Sequence, residues 1–345
     1  MISYLNSNST DYLHTGHYNP SDKALPPVME MENSWEEYKE RVKRYINAPN
    51  TAEVVIVSGA SEACATCMNW VRCIFGEGTT VWGSTFDHDV IEMNAKNYGL
   101  KYSRSSRIPD DTTAVVMTHV DSKTGEIFDV DRCVKIVNNA NLTYQPLIFL
   151  DVSQSITKIP VNMKRANANC VFWSLHKIGG EIGTGIMVID DREGAPFKPL
   201  ICGHQQSNFR GGTYNLESVL SCDFFSIRDN IDDRKIIWES GLQYLQKNGM
   251  NVYVPRTKHL YNTYLINIGR NCPLRVINAL AELYNIYIGT SSACKAEEMK
   301  KPREKRTTDE YIRISFKYGN EISFDILEKV CEVVKAIMED ENWYD

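Results

Sequence analysis

Six short apolar runs, at residues 54–57, 79–82, 114–118, 147–150, 170–173 and 185–189, punctuate the first part of this 345-residue chain. Most carry Val, Ile, Leu or Phe at consecutive positions, so both faces of each strand must be covered. Polar stretches of helical character lie between them. That alternation predicts an α/β fold with a mostly parallel central sheet and helices on both faces. Residues 35–46 add an amphipathic helix built on Trp35, Tyr38, Val42, Tyr45 and Ile46, stopped by Asn47-Ala48-Pro49-Asn50. From Asp232 a long helical pattern through Ile236, Trp238, Leu242 and Leu245 leads to a smaller α+β region from Val252 onward. There, residues 313–316 read as a strand. Residues 326–338 read as the closing helix, with Leu327, Val330, Val333, Val334 and Ile337 on one face. The predicted organisation is an N-terminal arm at 1–20, a large domain at 21–240 and a small C-terminal domain at 241–345. A hydrophobic content of 43% is enough to fill cores of that size.

In an open sheet of this kind, ligands meet side chains at the carboxyl ends of the strands. Two of the runs end in residues that carry chemistry. The run at 147–150 is followed by Asp151 and, three residues on, by Gln154. The run at 170–173 is followed by Ser174, His176 and Lys177, with Gly179 and Gly180 behind them. An acid and an amine 177 − 151 = 26 residues apart, on neighbouring strand ends, fit pyridoxal phosphate. Its ring nitrogen needs an anion and its aldehyde needs a lysine. The plainer readings are a helix cap for Asp151 and an exposed charge for Lys177, and the flanking glycines and histidine argue against the second. Ser58-Gly59-Ala60-Ser61-Glu62 follows the first strand and opens a helix, a place where backbone N–H groups hold phosphate. Taken alone, the same residues would be a helix cap. Taken alone, His88 between Asp87 and Asp89 would be a surface histidine.

The motifs together go further. Asp151-x-x-Gln154 and Ser174-x-His176-Lys177-x-Gly179-Gly180 are joined in order by Ser58 to Glu62, Asp87-His88, Arg210-Gly211-Gly212-Thr213, Ser291-Ser292-Ala293-Cys294 and Ile312-Arg313-Ile314-Ser315. In this order they resemble the fold-type-I pyridoxal-phosphate enzymes of the class V aminotransferase group, and most closely the cysteine desulfurases. The resemblance implies a transferase that removes sulfur from L-cysteine, leaving L-alanine and an enzyme persulfide on Cys294. It implies that Ala60, Ser61, Ser174, His176 and Thr213 meet the cofactor phosphate, Thr213 from the neighbouring subunit of a homodimer with shared sites. His88 would stack on the ring and move protons, Asp151 would hold the ring nitrogen, and Gln154 the phenolic oxygen. Lys177 would anchor the cofactor and then take the substrate's α-proton. Arg313 would hold the substrate carboxylate in a forked contact. The family's Asn-Asn-Glu-x-Gly stretch reads Asp121-Ser122-Lys123-Thr124-Gly125 here, so Ser122 stands where an amide usually meets the cofactor. The expected partners are L-cysteine and a sulfur-acceptor protein, with iron–sulfur cluster assembly and tRNA modification both open as destinations. An aminotransferase or lyase on the same scaffold, or a binding protein that keeps only the fold, are the alternatives.

Composition narrows the classes of partner. The formal net charge is −6 and the basic residues form no stripe, so nucleic-acid binding is not indicated. No apolar run approaches the roughly 20 residues of a bilayer span, and the first residues lack the features of a secretory signal. The expectation is therefore a cytoplasmic protein. Ten cysteines are scattered without a disulfide framework. Cys64, Cys67 and Cys73 cluster on one predicted helix without a second pair of ligands, which favours packing over metal binding, so no metal is expected.

Overall fold

A computed structural model describes residues 26–192, 194–226, 231–269, 273–290, 310–316 and 323–339. The predicted arm at 1–20 lies outside the described residues. The described chain divides into two compact units. One holds the described parts of Met1–His119 and Phe128–Ile227, the other those of Val120–Ile127 and Arg228–Asp345.

The first unit runs α1 (Pro26–Tyr45), β1 (Glu53–Val57), α2 (Ala60–Phe75), β2 (Thr80–Gly83), α3 (Asp89–Asn97), β3 (Lys101–Ser103), β4 (Thr112–Thr118), α4 (Val130–Asn139), β5 (Leu147–Asp151), β6 (Cys170–Ser174), β7 (Gly185–Ile189) and α5 (Leu216–Leu220). Its seven strands lie in the order β1-β7-β6-β5-β4-β2-β3. The pairs β2–β3, β2–β4, β4–β5 and β5–β6 are parallel, while β7 is antiparallel to both β6 and β1. Six strands therefore point one way and β7 alone points back.

Successive strand residues face opposite sides, and this splits each apolar run between two cores. Val54, Ile56, Val115, Met117, Ile148, Leu150, Val171 and Trp173 pack with Trp35, Tyr38 and Val42 of α1. Val55, Val57, Ala114, Val116, Leu147, Phe149, Cys170 and Phe172 pack with Cys64, Cys67, Met68 and Trp70 of α2. The continuous apolar runs are thus the signature of a sheet covered twice. Cys64 and Cys67 are buried in the second core, whereas Cys73 is exposed. Helix α1 begins nine residues before the predicted Trp35, because Pro26 and Pro27 occupy a first turn whose N–H groups have no intrahelical partner. Strand β3, only three residues of Lys, Tyr and Ser, carries no apolar pattern that would reveal it.

The second unit contains α6 (Ile231–Lys247), β8 (Asn251–Tyr253), β9 (Thr263–Asn267), α7 (Pro273–Tyr284), β10 (Gly289–Thr290), β11 (Tyr311–Ser315) and α8 (Phe324–Glu339). Its antiparallel sheet has the order β10-β11-β9-β8. Trp238, Tyr264, Ile266, Ile312, Leu327 and Val330 form its core. The hairpin Val120–Ile127 joins this unit through Leu260 N to Gly125 O (2.9 Å) and Ile127 N to Lys258 O (2.8 Å). No helix among the described residues is long and apolar enough to cross a membrane.

Candidate active site

Because β7 alone is reversed, the carboxyl ends of β1, β2, β4, β5 and β6 share one edge of the sheet. The turns leaving that edge carry Ser58 to Ala60, Asp87 and His88, His119, Asp151 to Gln154, and Ser174 to Lys177. Most of the residues singled out from the sequence therefore come to one edge by topology alone.

At β1 the chain turns through Gly59, whose φ of 153° favours glycine, and enters α2. The Ala60 N–H donates to Ser174 Oγ at 2.8 Å, which joins two predicted phosphate ligands in one contact. A Cβ on Gly59 would meet Ser174 Oγ at 3.2 Å, and one on Gly185 would meet Gly59 Cα at 2.7 Å and the Trp173 carbonyl at 2.8 Å. The two glycines let the backbone after β1 pass close to β6 and β7 at the start of α2. The helix cap expected of Ser61 and Glu62 takes a different form. Gly59 is the N-cap and makes no side-chain bond, Ser61 is exposed, and Glu62 reaches back to accept from Ser58 N at 2.8 Å. Arg210 of the Arg-Gly-Gly-Thr stretch donates to both Glu62 oxygens, at 2.9 and 3.3 Å. This ion pair, with side chains only 19% and 10% exposed, fastens the loop of Arg210 to the phosphate turn. Gln206 holds the same loop to the open edge of β1 by bonding both Ile56 N (2.6 Å) and Ile56 O (3.0 Å). Thr213 is exposed at the end of that loop.

Asp151 is buried, and one carboxylate oxygen accepts from Ser153 N at 2.9 Å. Burial pushes its pKa up; the Ser153 bond and the charges of His88 and Lys177 oppose that. A buried carboxyl drawn towards neutrality in this way gains from a cation placed against it, which is what a pyridinium supplies. Lys177 and His176 are exposed on a single 3-10 turn, Leu175–Ile178, closed by Gly179 in the left-handed region at φ 95°. Burial, and then the Lys177 charge, lowers the His176 pKa. Gln154 is half-buried in the turns after β5. His88 is exposed and N-caps α3, its Nδ1 accepting from Val90 N at 3.2 Å. In the neutral ring the proton therefore sits on Nε2. The donor set, the glycine-lined turn and the buried acid together fit pyridoxal phosphate.

Two buried polar residues at this edge were given no role in the sequence. Asp87, the neighbour of His88, is 6% exposed and its carboxylate accepts four hydrogen bonds. Burial raises its pKa to about 6 against the pull of those bonds. His119, directly after β4, meets Ser155 Oγ at 3.0 Å through Nδ1, and burial pushes its pKa down to about 4. A polar residue directly after an apolar run is the signal for His119; Asp87, four residues past the end of β2, carries no such signal.

In the second unit Arg313 and Ser122 are joined, but not through the serine hydroxyl on which the cofactor reading relied. Arg313 Nη1 donates to the Ser122 carbonyl at 2.8 Å. Cys294, with the rest of the Ser-Ser-Ala-Cys stretch, lies outside the described residues, as does the polar segment at 300–308.

The model of the class V aminotransferase family matches residues 7–323. Among curated proteins, the cysteine desulfurase IscS of Pseudomonas putida is 21% identical over 362 aligned residues, covering 93% of this chain and 86% of that protein. The cysteine desulfurase NifS of Azotobacter vinelandii is 22% identical over 200 residues, covering 53% of this chain and 48% of that protein. The chain thus spans about half the length of NifS in that match. Among solved structures, a NifS-like protein superimposes with a TM-score of 0.75 at 20% identity, covering 92% of this chain and 91% of that one. The apo structure of a cysteine desulfurase from Thermococcus onnurineus NA1 gives 0.73 at 20% identity, covering 90% and 85%. These likenesses establish the fold.

Proposed function

The chain belongs to the class V aminotransferase family, and from that premise we propose that it is a pyridoxal-phosphate cysteine desulfurase, converting L-cysteine to L-alanine with a persulfide on Cys294. The observation that carries the reading is the shared strand edge. There the buried Asp151 shares the carboxyl edge of the sheet with His88 and Lys177, beside the Gly59 turn in which the Ala60 N–H meets Ser174 Oγ.

Pyridoxal phosphate, when bound, supplies an aldehyde for an amine and a ring that takes up the electron pair of the substrate's Cα–H bond. The chain's own residues divide the remaining work. Ala60, Ser61, Ser174 and His176 would hold the phosphate at the positive start of α2. Asp151 would hold the ring nitrogen and keep it protonated, Gln154 would hydrogen-bond the phenolic oxygen, and His88, its Nδ1 occupied by Val90 N, would offer its ring and an Nε2 proton. Lys177 would anchor the cofactor and, once displaced by the substrate amine, would hold the proton taken from the substrate's Cα. Arg313, whose Nη1 donates to the Ser122 carbonyl, would bind the carboxylate, and the Cys294 thiolate would attack the substrate sulfur, the Cβ–S electron pair staying on Cβ, which takes up a proton to give alanine. A homodimer in which Thr213 serves the neighbouring subunit's phosphate, a protein sulfur acceptor and a cytoplasmic location belong to the same proposal.

The test is addition of L-cysteine to the purified yellow protein, with alanine quantified and the persulfide mapped by mass spectrometry. Alanine in step with a persulfide on Cys294, both lost in Cys294→Ser while the visible absorbance stays, is the expected result. Alanine formation that survives Cys294→Ser, or keto acid in place of alanine, would overturn the reading.

A further inference from the structure

We propose that Asp87 is a positioning residue for His88: its buried carboxylate ties three strands to one turn and so fixes where the histidine stands. The inference rests on the role given to His88 above.

Strand β2 ends at Gly83, and the chain must then turn within five residues to start α3. Asp87 organises that turn. One carboxylate oxygen accepts from Ser84 Oγ (2.6 Å) and Thr118 Oγ1 (2.7 Å), the other from Ser84 N (3.0 Å) and Tyr102 Oη (2.7 Å). These donors come from the residue after β2, the middle of β3 and the last residue of β4. Ser84 Oγ also accepts from Phe86 N at 3.2 Å, which closes the turn from inside. The fit leaves no space: a Cβ on Gly83 would collide with both Tyr102 Oη and an Asp87 carboxylate oxygen. An outer layer forms around Arg104, whose side chain reaches the Asp87 carbonyl at 3.4 Å and Tyr102 Oη at 3.3 Å.

Four donors on one buried carboxylate exceed what a turn needs, since Ser84 alone would hold the backbone. The extra bonds to Tyr102 and Thr118 lock the turn to the sheet. The next residue is His88, held at its other end by the Nδ1 bond to Val90 N. The backbone of His88 is therefore held from the Asp87 side and its ring by the Val90 N–H. Thr118 pairs with Asp151 across β4 and β5, so the lock is built on the same strand ends as the carboxylate that faces the cofactor.

The experiment compares Asp87→Asn, His88→Ala and the double variant as holoenzymes. Asp87→Asn should lower kcat for alanine formation about tenfold or more with KM within roughly threefold, while cofactor uptake at the visible band is kept. The double variant should be no slower than His88→Ala alone, because one defect acts through the other. Losses that multiply, or an unchanged kcat in Asp87→Asn, would overturn the proposal. Histidine-labelled nitrogen NMR supplies a readout that needs no turnover. His88 should show an unprotonated Nδ1 and a protonated Nε2 in the parent protein, a pattern lost in Asp87→Asn. An unaltered His88 signal in Asp87→Asn would sink the idea. A parent enzyme that forms no alanine would count against the desulfurase reading alone. If Asp87→Asn does not fold, Tyr102→Phe and Thr118→Val each remove one donor, and the same non-multiplying loss with His88→Ala is required.

Discussion

Acidification should expose two opposed titrations hidden in the first unit. His119 is 9% exposed and burial pushes its pKa down to about 4, against an ordinary value near 6.5. The unfolded chain therefore binds a proton that the folded one refuses. The stability this group contributes is full above about pH 6.5 and is lost as pH falls towards 4. At about 1.36 kcal/mol per pH unit, the loss between pH 6.5 and 5 is about 2 kcal/mol. Asp87 acts in the other direction. Its pKa is raised to about 6, so the folded chain holds a proton that the unfolded chain releases above about pH 3.9, and stability rises as pH falls from 6. Between pH 4 and 6 the two slopes nearly cancel, and the parent protein shows little of either. His119→Gln, which keeps a partner for Ser155, removes one of them. Urea unfolding followed by tryptophan fluorescence at pH 7.5 and pH 5 measures the change. The stability difference between variant and parent should move by about 2 kcal/mol in the variant's favour on acidification. If that difference stays constant within about 0.5 kcal/mol across the range, His119 is not a buried neutral imidazole and the linkage argument is wrong.

Three further outcomes follow from the same edge of the sheet. Gly185→Ala places a Cβ against backbone at Gly59 and Trp173, which no side-chain movement relieves, so thermal unfolding should show a loss of about 2–3 kcal/mol and cofactor titration a weaker phosphate grip. Arg210→Ala breaks the mostly buried pair with Glu62; it should cost about 2 kcal/mol and weaken cofactor binding, while Glu62→Gln, still able to accept from Ser58 N, should lose less of both. Asp151→Asn should leave the cofactor's absorbance in place while turnover falls roughly a hundredfold or more, since the amide removes the anion that keeps the ring cationic; near-normal turnover would refute its role.

The legibility of this protein in its sequence follows a physical division. Apolar runs such as 147–150 and 170–173 were readable because a strand covered on both faces has no polar position to spare, and the polar residue that ends it is then conspicuous. Asp151, Ser174 and Lys177 were visible for that reason, and the same strand ends hold them in the structure. What could not be read were pairings across long sequence separations. Nothing near Glu62 announces that Arg210, 148 positions on, will bind it, and nothing near Gln206 announces the edge of β1. Strand β3 was invisible because an edge strand of three residues draws its register from β2 and not from its own side chains. The reversal of β7 was equally silent, yet it decides the site's architecture. A parallel β7 would leave the order of strands intact, but its turn back to the sheet would need a crossover longer than the ten residues from 175 to 184, so the short turn carrying His176 and Lys177 exists because the next strand runs antiparallel. The lysine is held at the sheet edge by the tightness of that return, and Gly179 and Gly183, both at positive φ, are where the chain makes it.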